Sequence, residues 1–158
     1  MNKIITIDTD EDILRNKSEK VYNLKSVKST IEDMKKALLG NNNAIGLAAP
    51  QIGINKRIVL FKEFEYDDDD NKENYLKKII CLINPTIVKK YGEVTGYESC
   101  LSVPGIEAYI KRAERIVVKD ETGMYNFKSI SAIIVQHEMD HLDGILITDR
   151  AITVEKRE

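Results

Sequence analysis

Tryptophan is absent from the 158-residue chain, proline occurs three times, and cysteine and histidine occur only twice each. Two cysteines make no disulfide framework, and a chain of this length can bury a sufficient core without one. Long apolar runs are missing too. The longest, Ile79-Ile80-Cys81-Leu82-Ile83, falls far short of the roughly 20 residues that cross a bilayer, which excludes a spanning helix. The N-terminus reaches Asp8 before an apolar signal stretch could form, so the cytoplasm is the expected location. No cluster of lysine or arginine is present, and 24 basic residues against 26 acidic ones leave a net charge of -2. Nucleic-acid binding rests on clustered cations, so direct binding of nucleic acid is not expected. What is present, 42% hydrophobic and 32% charged residues, is the composition of a folded soluble protein, and the length fits one domain over residues 1–158.

Periodicity predicts an α+β fold. A short helix is expected over 11–16, capped by Asp10. A second runs from Ser26, where Val27, Ile31, Met34, Leu38 and Leu39 recur at helical spacing until Gly40. Residues 46–51 read as a loop, and 57–61 as a strand. Seven acidic residues between Glu63 and Glu73 lack the ligand spacing of an EF-hand loop and predict a solvated hairpin tip. Further strands are expected over 78–83, 86–91, 105–110, 115–120 and near 125–127, forming antiparallel or mixed sheets. Ser129 or Ser131 then caps a helix that ends at Asp143-Gly144. Its run Ile130, Ala132, Ile133, Ile134, Val135 is apolar nearly all round, which places this helix inside the protein. Beyond it, only a short charged tail is expected.

The chemistry-bearing signal sits on that helix. In His137-Glu138-Met139-Asp140-His141 the spacing of four puts both imidazoles, the only two in the chain, on one face where they can grip one metal ion with Glu138 beside it. A catalytic ion needs a third protein ligand, and no third histidine exists. Cys100, in the polar segment Glu98-Ser99-Cys100-Leu101-Ser102, is the better candidate than Glu155 or Glu158, whereas Cys81 reads as a small hydrophobe within an apolar strand.

Three segments together resemble the peptide deformylases. Ala44-Ile45-Gly46-Leu47-Ala48-Ala49-Pro50-Gln51 is similar to the family's first motif, Glu98-Ser99-Cys100-Leu101-Ser102 to its second, and Gln136 to His141 matches its third in full. Similarity continues through Ile13-Leu14-Arg15, Ile83-Asn84-Pro85, Val103-Pro104-Gly105, Arg112-Ala113 and Leu142-Asp143-Gly144, and so spans most of the chain.

The resemblance implies a metallohydrolase that removes the formyl group from N-terminal formyl-methionine of nascent polypeptides. It implies a metal held by Cys100, His137 and His141, Glu138 as general base and then acid, and the Gln51 amide with the Leu101 N–H as oxyanion donors. It further implies a peptide lying as an added strand near Ile45 and Gly46, with Ile45, Ile133, Ile134 and His137 around the methionine. Glu98 and Arg112 read either as partners orienting the site or as a surface ion pair. The ligand set alone favours Zn²⁺; the resemblance implies Fe²⁺, with Zn²⁺, Ni²⁺ or Co²⁺ able to take its place. A monomer with transient contact to the ribosome is expected, but not docking through a C-terminal helix, because little chain follows Arg150. Two departures stand in the motifs: Ala44 replaces a glycine, which bears on substrate fit, and Ser99 replaces the glycine before the cysteine, which tightens that turn or adds a hydroxyl near the site. The segment between Phe127 and Ala132 also reads as shorter than is usual, which trims the start of the buried helix. The competing readings are a degenerate relative that binds metal or nascent N-termini without turnover, and an HExxH peptidase that cuts internal bonds.

Overall fold

A computed structural model describes residues 3–65 and 75–157. The chain opens with α1 (Ile7–Arg15), where the Thr6 hydroxyl accepts from the Asp8 N–H and exchanges bonds with Thr9. The predicted start at Asp10 proves to be a kink within this helix: Asp10 leaves helical geometry, and its carboxylate accepts from the Ile13 N–H at 3.3 Å. Asp10 therefore caps the second part, while Thr6 caps the first. A 3-10 turn, Leu24–Val27, leads into α2 (Lys28–Leu39), which buries Met34, Ala37 and Leu38.

Nine strands form three antiparallel three-stranded sheets among the described residues. The first joins β1 (Gly46–Ala48), β2 (Ile58–Glu65) and β3 (Tyr75–Ile83); the second, β4 (Thr86–Tyr91), β7 (Arg115–Asp120) and β8 (Gly123–Lys128). The third joins β5 (Val94–Cys100), β6 (Val103–Arg112) and β9 (Ala151–Lys156). Between β8 and β9 lie α3 (Ser129–Leu142) and the single turn α4 (Ile147–Arg150). Strand β2 explains how the layers share one core. Its residues 58–61 are buried on both faces, and side chains alternate along a strand. Ile58 and Leu60 meet Met34, Leu38 and Leu47 on the α2 side, whereas Val59 and Phe61 meet Ala132, Val135 and Leu142 of α3. A third cluster, including Leu14, Val103, Ile110 and Leu146, ties α1 and α4 to the β5-β6-β9 sheet.

Several expectations change here. The loop at 46–51 is β1 followed by a 3-10 turn, Ala49–Ile52. Strand β5 was not foreseen, and the short charged tail is instead β9, an edge strand beside β6. Neither Ser129 nor Ser131 caps α3: Lys128 is the cap residue without a side-chain bond, and Ser129 takes a left-handed φ of 54°. The expected acidic hairpin tip falls mainly on residues 66–74, outside the described residues. No helix of the described residues is long and apolar enough to cross a membrane.

Candidate metal centre

Strand β5 runs into a two-residue turn at Leu101-Ser102, with a register shift at Ser99/Cys100. Such an irregularity re-aims a side chain, and the Cys100 sulfur comes to lie 3.3 Å from His141 Nε2. One turn earlier on α3 stands His137, and ligand atoms of Cys100, His137 and His141 all lie within 4.8 Å of one another. The three residues singled out from the sequence are brought together.

The surrounding groups orient them. His137 Nδ1 is 2.8 Å from Glu98 Oε1, and Glu98 receives two further bonds from the Arg112 guanidinium, both at 2.9 Å. Arg112 also donates to Asp140 at 2.6 Å, and Arg150 reaches the same carboxylate. Glu98 and Arg112 are thus a buried pair beside a candidate ligand, rather than a solvated surface pair. Burial pushes the Glu98 carboxyl up, but the Arg112 and His137 hydrogen bonds outweigh it and hold the group at about 2. Burial, with His137 and Arg112, pushes the His141 imidazole well below its ordinary value, which keeps it neutral with a lone pair to offer. Burial acts on His137 in the same direction, yet Glu138, Cys100 and Glu98 leave it well above its ordinary value.

Glu138 lies against Gly46 on the first strand. A Cβ placed on Gly46 would lie 2.6 Å from Glu138 Oε2 and 2.8 Å from its Cγ, so the first motif's glycine is the space this side chain occupies. Burial pushes the Glu138 carboxyl up to about 7, with His137 pulling the other way. Its Oε1 and His141 Nδ1 are buried without a hydrogen-bond partner among the described residues. Gln51, 2% exposed, has a fixed amide: Oε1 accepts from the Ala48 N–H at 2.9 Å, which turns Nε2 toward Ser102 Oγ at 3.1 Å and the Cys100 sulfur at 3.8 Å.

These residues fit a divalent cation. A thiol and two imidazoles converge, burial holds one imidazole toward its neutral form, Glu98 bonds the other at Nδ1, and an unpartnered carboxylate oxygen is buried nearby.

Residues 1–157 match the family model described as polypeptide deformylase. The chain belongs to the polypeptide deformylase family. The activity of that family is metal-dependent removal of formyl groups from nascent polypeptides. The peptide deformylase of Dictyoglomus thermophilum is 44% identical over 146 residues, 89% of this chain and 87% of that one. That of Syntrophomonas wolfei is 39% identical over 155 residues, 95% of this chain and 93% of that one. The crystal structure of the Thermotoga maritima deformylase superposes with a TM-score of 0.79 at 30% identity, covering 97% of this chain and 99% of the other.

A cavity of about 980 Å³ opens beside the deformylase centre and is lined by Ile45, Gly46, Gln51, Leu101, Ile133, Ile134, His137 and Glu138 among others. Ile134 also packs into the α3 core, while Ile45 is 43% exposed. Sequence reasoning missed Ile130, which lines the same cavity; with Ile133, Ile134 and His137 it makes a stripe at i, i+3, i+4 and i+7, a legible signal. Both departures, Ala44 and Ser99, line this cavity. Ala44 is outside the left-handed region and its methyl sits in the α2-side core, while Ser99 is exposed.

Proposed function

We propose that residues 1–158 act as one catalytic domain that hydrolyses the formyl group of N-terminal formyl-methionyl peptides and releases formate. The convergence of Cys100, His137 and His141, with Glu138 and Gln51 lining the same cavity, carries this reading. Those three residues would hold one divalent ion, Fe²⁺ in the cell with Zn²⁺, Ni²⁺ or Co²⁺ as substitutes. When bound, such an ion supplies Lewis acidity, which lowers the pKa of water and polarises a carbonyl.

The remaining work falls to side chains and backbone. Glu138 accepts a proton from the water whose oxygen adds to the formyl carbon, then gives it to the amide nitrogen as the C–N bond breaks. A carboxyl raised to about 7 suits a group that must take and return a proton near neutrality. Negative charge on the formyl oxygen is met by Gln51 Nε2–H, whose orientation is supported by the Ala48 bond, and by the Leu101 N–H. The main chain at Ile45 and Gly46 pairs with the peptide, and Ile133 and Ile134 border the methionine side chain. The setting proposed is a cytoplasmic monomer that meets nascent chains in transient contact with the ribosome.

The test is formate release from formyl-Met-Ala-Ser by anaerobically metal-loaded protein, repeated with Glu138→Ala and with an internal peptide. Formate from the wild type and its loss in the variant are expected. A metal-replete protein that binds the peptide without releasing formate would indicate the degenerate reading, and cleavage of the internal peptide would indicate a peptidase.

A further inference from the structure

The deformylase cavity has one cation on its wall that takes no part in the chemistry above. Its lining includes three formally charged side chains: Glu98, Glu138 and Arg157. Glu98 is occupied by Arg112 and His137, and Glu138 lies among the reacting groups. Arg157 belongs to neither set. It lies just past β9, where Ile106 pairs with Lys156 and the Arg157 N–H donates to the Gly105 carbonyl at 2.7 Å. Gly105 is left-handed, with φ of 73°, and a Cβ on it would lie 3.4 Å from the Arg157 carbonyl. The backbone of Arg157 is thus anchored beside Pro104, Gly105 and Ile106, which line the same cavity.

The side chain is oriented yet open. Its guanidinium pairs with Glu107, whose carboxylate is 14% exposed, while Arg157 itself is 65% exposed. A guanidinium carries five N–H donors in a planar fork, and one carboxylate cannot occupy them all. Glu107 therefore holds the fork without occupying all of its donors. A local structural role also exists: Glu107 faces Glu155 across the β6-β9 pair, and a cation there relieves like-charge repulsion. That role predicts a stability effect alone.

We propose that Arg157 is a specificity-determining residue that favours formyl-methionyl peptides carrying a carboxylate side chain downstream of methionine over those carrying an ammonium. The proposal rests on the deformylase reading above. A peptide held by its formyl end near Glu138 and lying extended advances about 3.3 Å per residue, so side chains soon after methionine travel along the wall to which Arg157 contributes. An exposed pair of this type contributes about 0.2–1 kcal/mol, or a selectivity of roughly 1.5- to 5-fold that salt weakens.

Three substrates with amidated C-termini test it: formyl-Met-Ala-Glu-amide, formyl-Met-Ala-Lys-amide and formyl-Met-Ala-Gln-amide. The readout is the ratio of kcat/KM for the Glu peptide to that for the Lys peptide, in which general damage to the enzyme cancels. The wild-type ratio should be about 3-fold at low salt and fall toward unity at high salt. Arg157→Gln should bring it near unity, and Arg157→Glu should invert it. A ratio near unity in the wild type, or one unchanged in both variants while their melting temperatures fall, would overturn the proposal and leave Arg157 its strand-pairing role. Calorimetric titration with the product peptides Met-Ala-Glu-amide and Met-Ala-Lys-amide reads the same preference without turnover. Absence of formate from the Gln peptide would therefore count against the activity, whereas an absent charge preference in the titration would count against Arg157.

Discussion

Replacing Gly144 with alanine is expected to destabilise the protein more than any other single-methyl addition at its glycines. Gly144 follows the end of α3 with φ of 72°, and a Cβ there would lie 2.2 Å from the Arg15 carbonyl oxygen and 2.6 Å from its carbon. The obstacle is backbone, so no side-chain rotation relieves it. A left-handed alanine costs roughly 1–2 kcal/mol, and separating the end of α1 from the α3 terminus adds the roughly 1–3 kcal/mol typical of overpacking. Together these give about 2–5 kcal/mol, a large part of the 5–15 kcal/mol that holds a domain folded. At roughly 2–4 °C per kcal/mol for a chain of this size, Tm should fall by roughly 4–20 °C. The control is Gly96→Ala, where the added methyl meets nothing within 4 Å and the backbone is not left-handed. Urea unfolding followed by circular dichroism measures both. Equal stability of the two variants would refute the contact between Arg15 and Gly144 as described.

Gly46→Ala should instead act on activity: the methyl intrudes on Glu138, and a displaced proton-transfer group loses about 10²-fold or more in kcat, read in the formate assay beside a Tm that changes far less. The two thiols should differ in alkylation, because burial pushes Cys81 up to about 11. At pH 8 its thiolate fraction is about 0.1%, so mass spectrometry after iodoacetamide should find Cys81 unmodified until the protein is unfolded. Acid stability should carry the mark of Glu98. Its folded value of about 2 lies below the ordinary 4.5, so its contribution of roughly 3 kcal/mol is present above pH 4.5 and is lost as the pH falls toward 2. In Arg112→Met, which leaves Glu98 buried without its principal partner, the loss should appear already at neutral pH as roughly 3–5 kcal/mol in urea unfolding.

How far the centre was legible depended on which pattern each residue obeyed. His137, Glu138 and His141 lie on one helix, where spacing alone places both imidazoles on a face, so geometry followed from chain order. Cys100 needed the hairpin turn to reach them, and its strand stayed hidden for a related reason. In β5 the inward positions alternate as Val94, Gly96, Glu98 and Cys100, so polar groups used by the site stand where a hydrophobic period would reveal a strand. Strand β9 has the β-branched run Ile152-Thr153-Val154, yet its side chains are largely exposed and its partner β6 is some 45 residues earlier, beyond what local pattern encodes. The role of Gly46 was invisible from propensity, since it answers to Glu138 more than 90 positions away. Arg157 carried no local signal at all.

The central claim is that one sulfur and two imidazole nitrogens share a single cation. X-ray absorption of the protein loaded stoichiometrically with Zn²⁺ tests it most directly. The account predicts a sulfur at about 2.3 Å and nitrogens at about 2.0–2.1 Å, with the sulfur lost in Cys100→Ala and retained in Cys81→Ala. A shell of oxygen and nitrogen alone in the wild type, or a spectrum indifferent to the loss of Cys100, would contradict it.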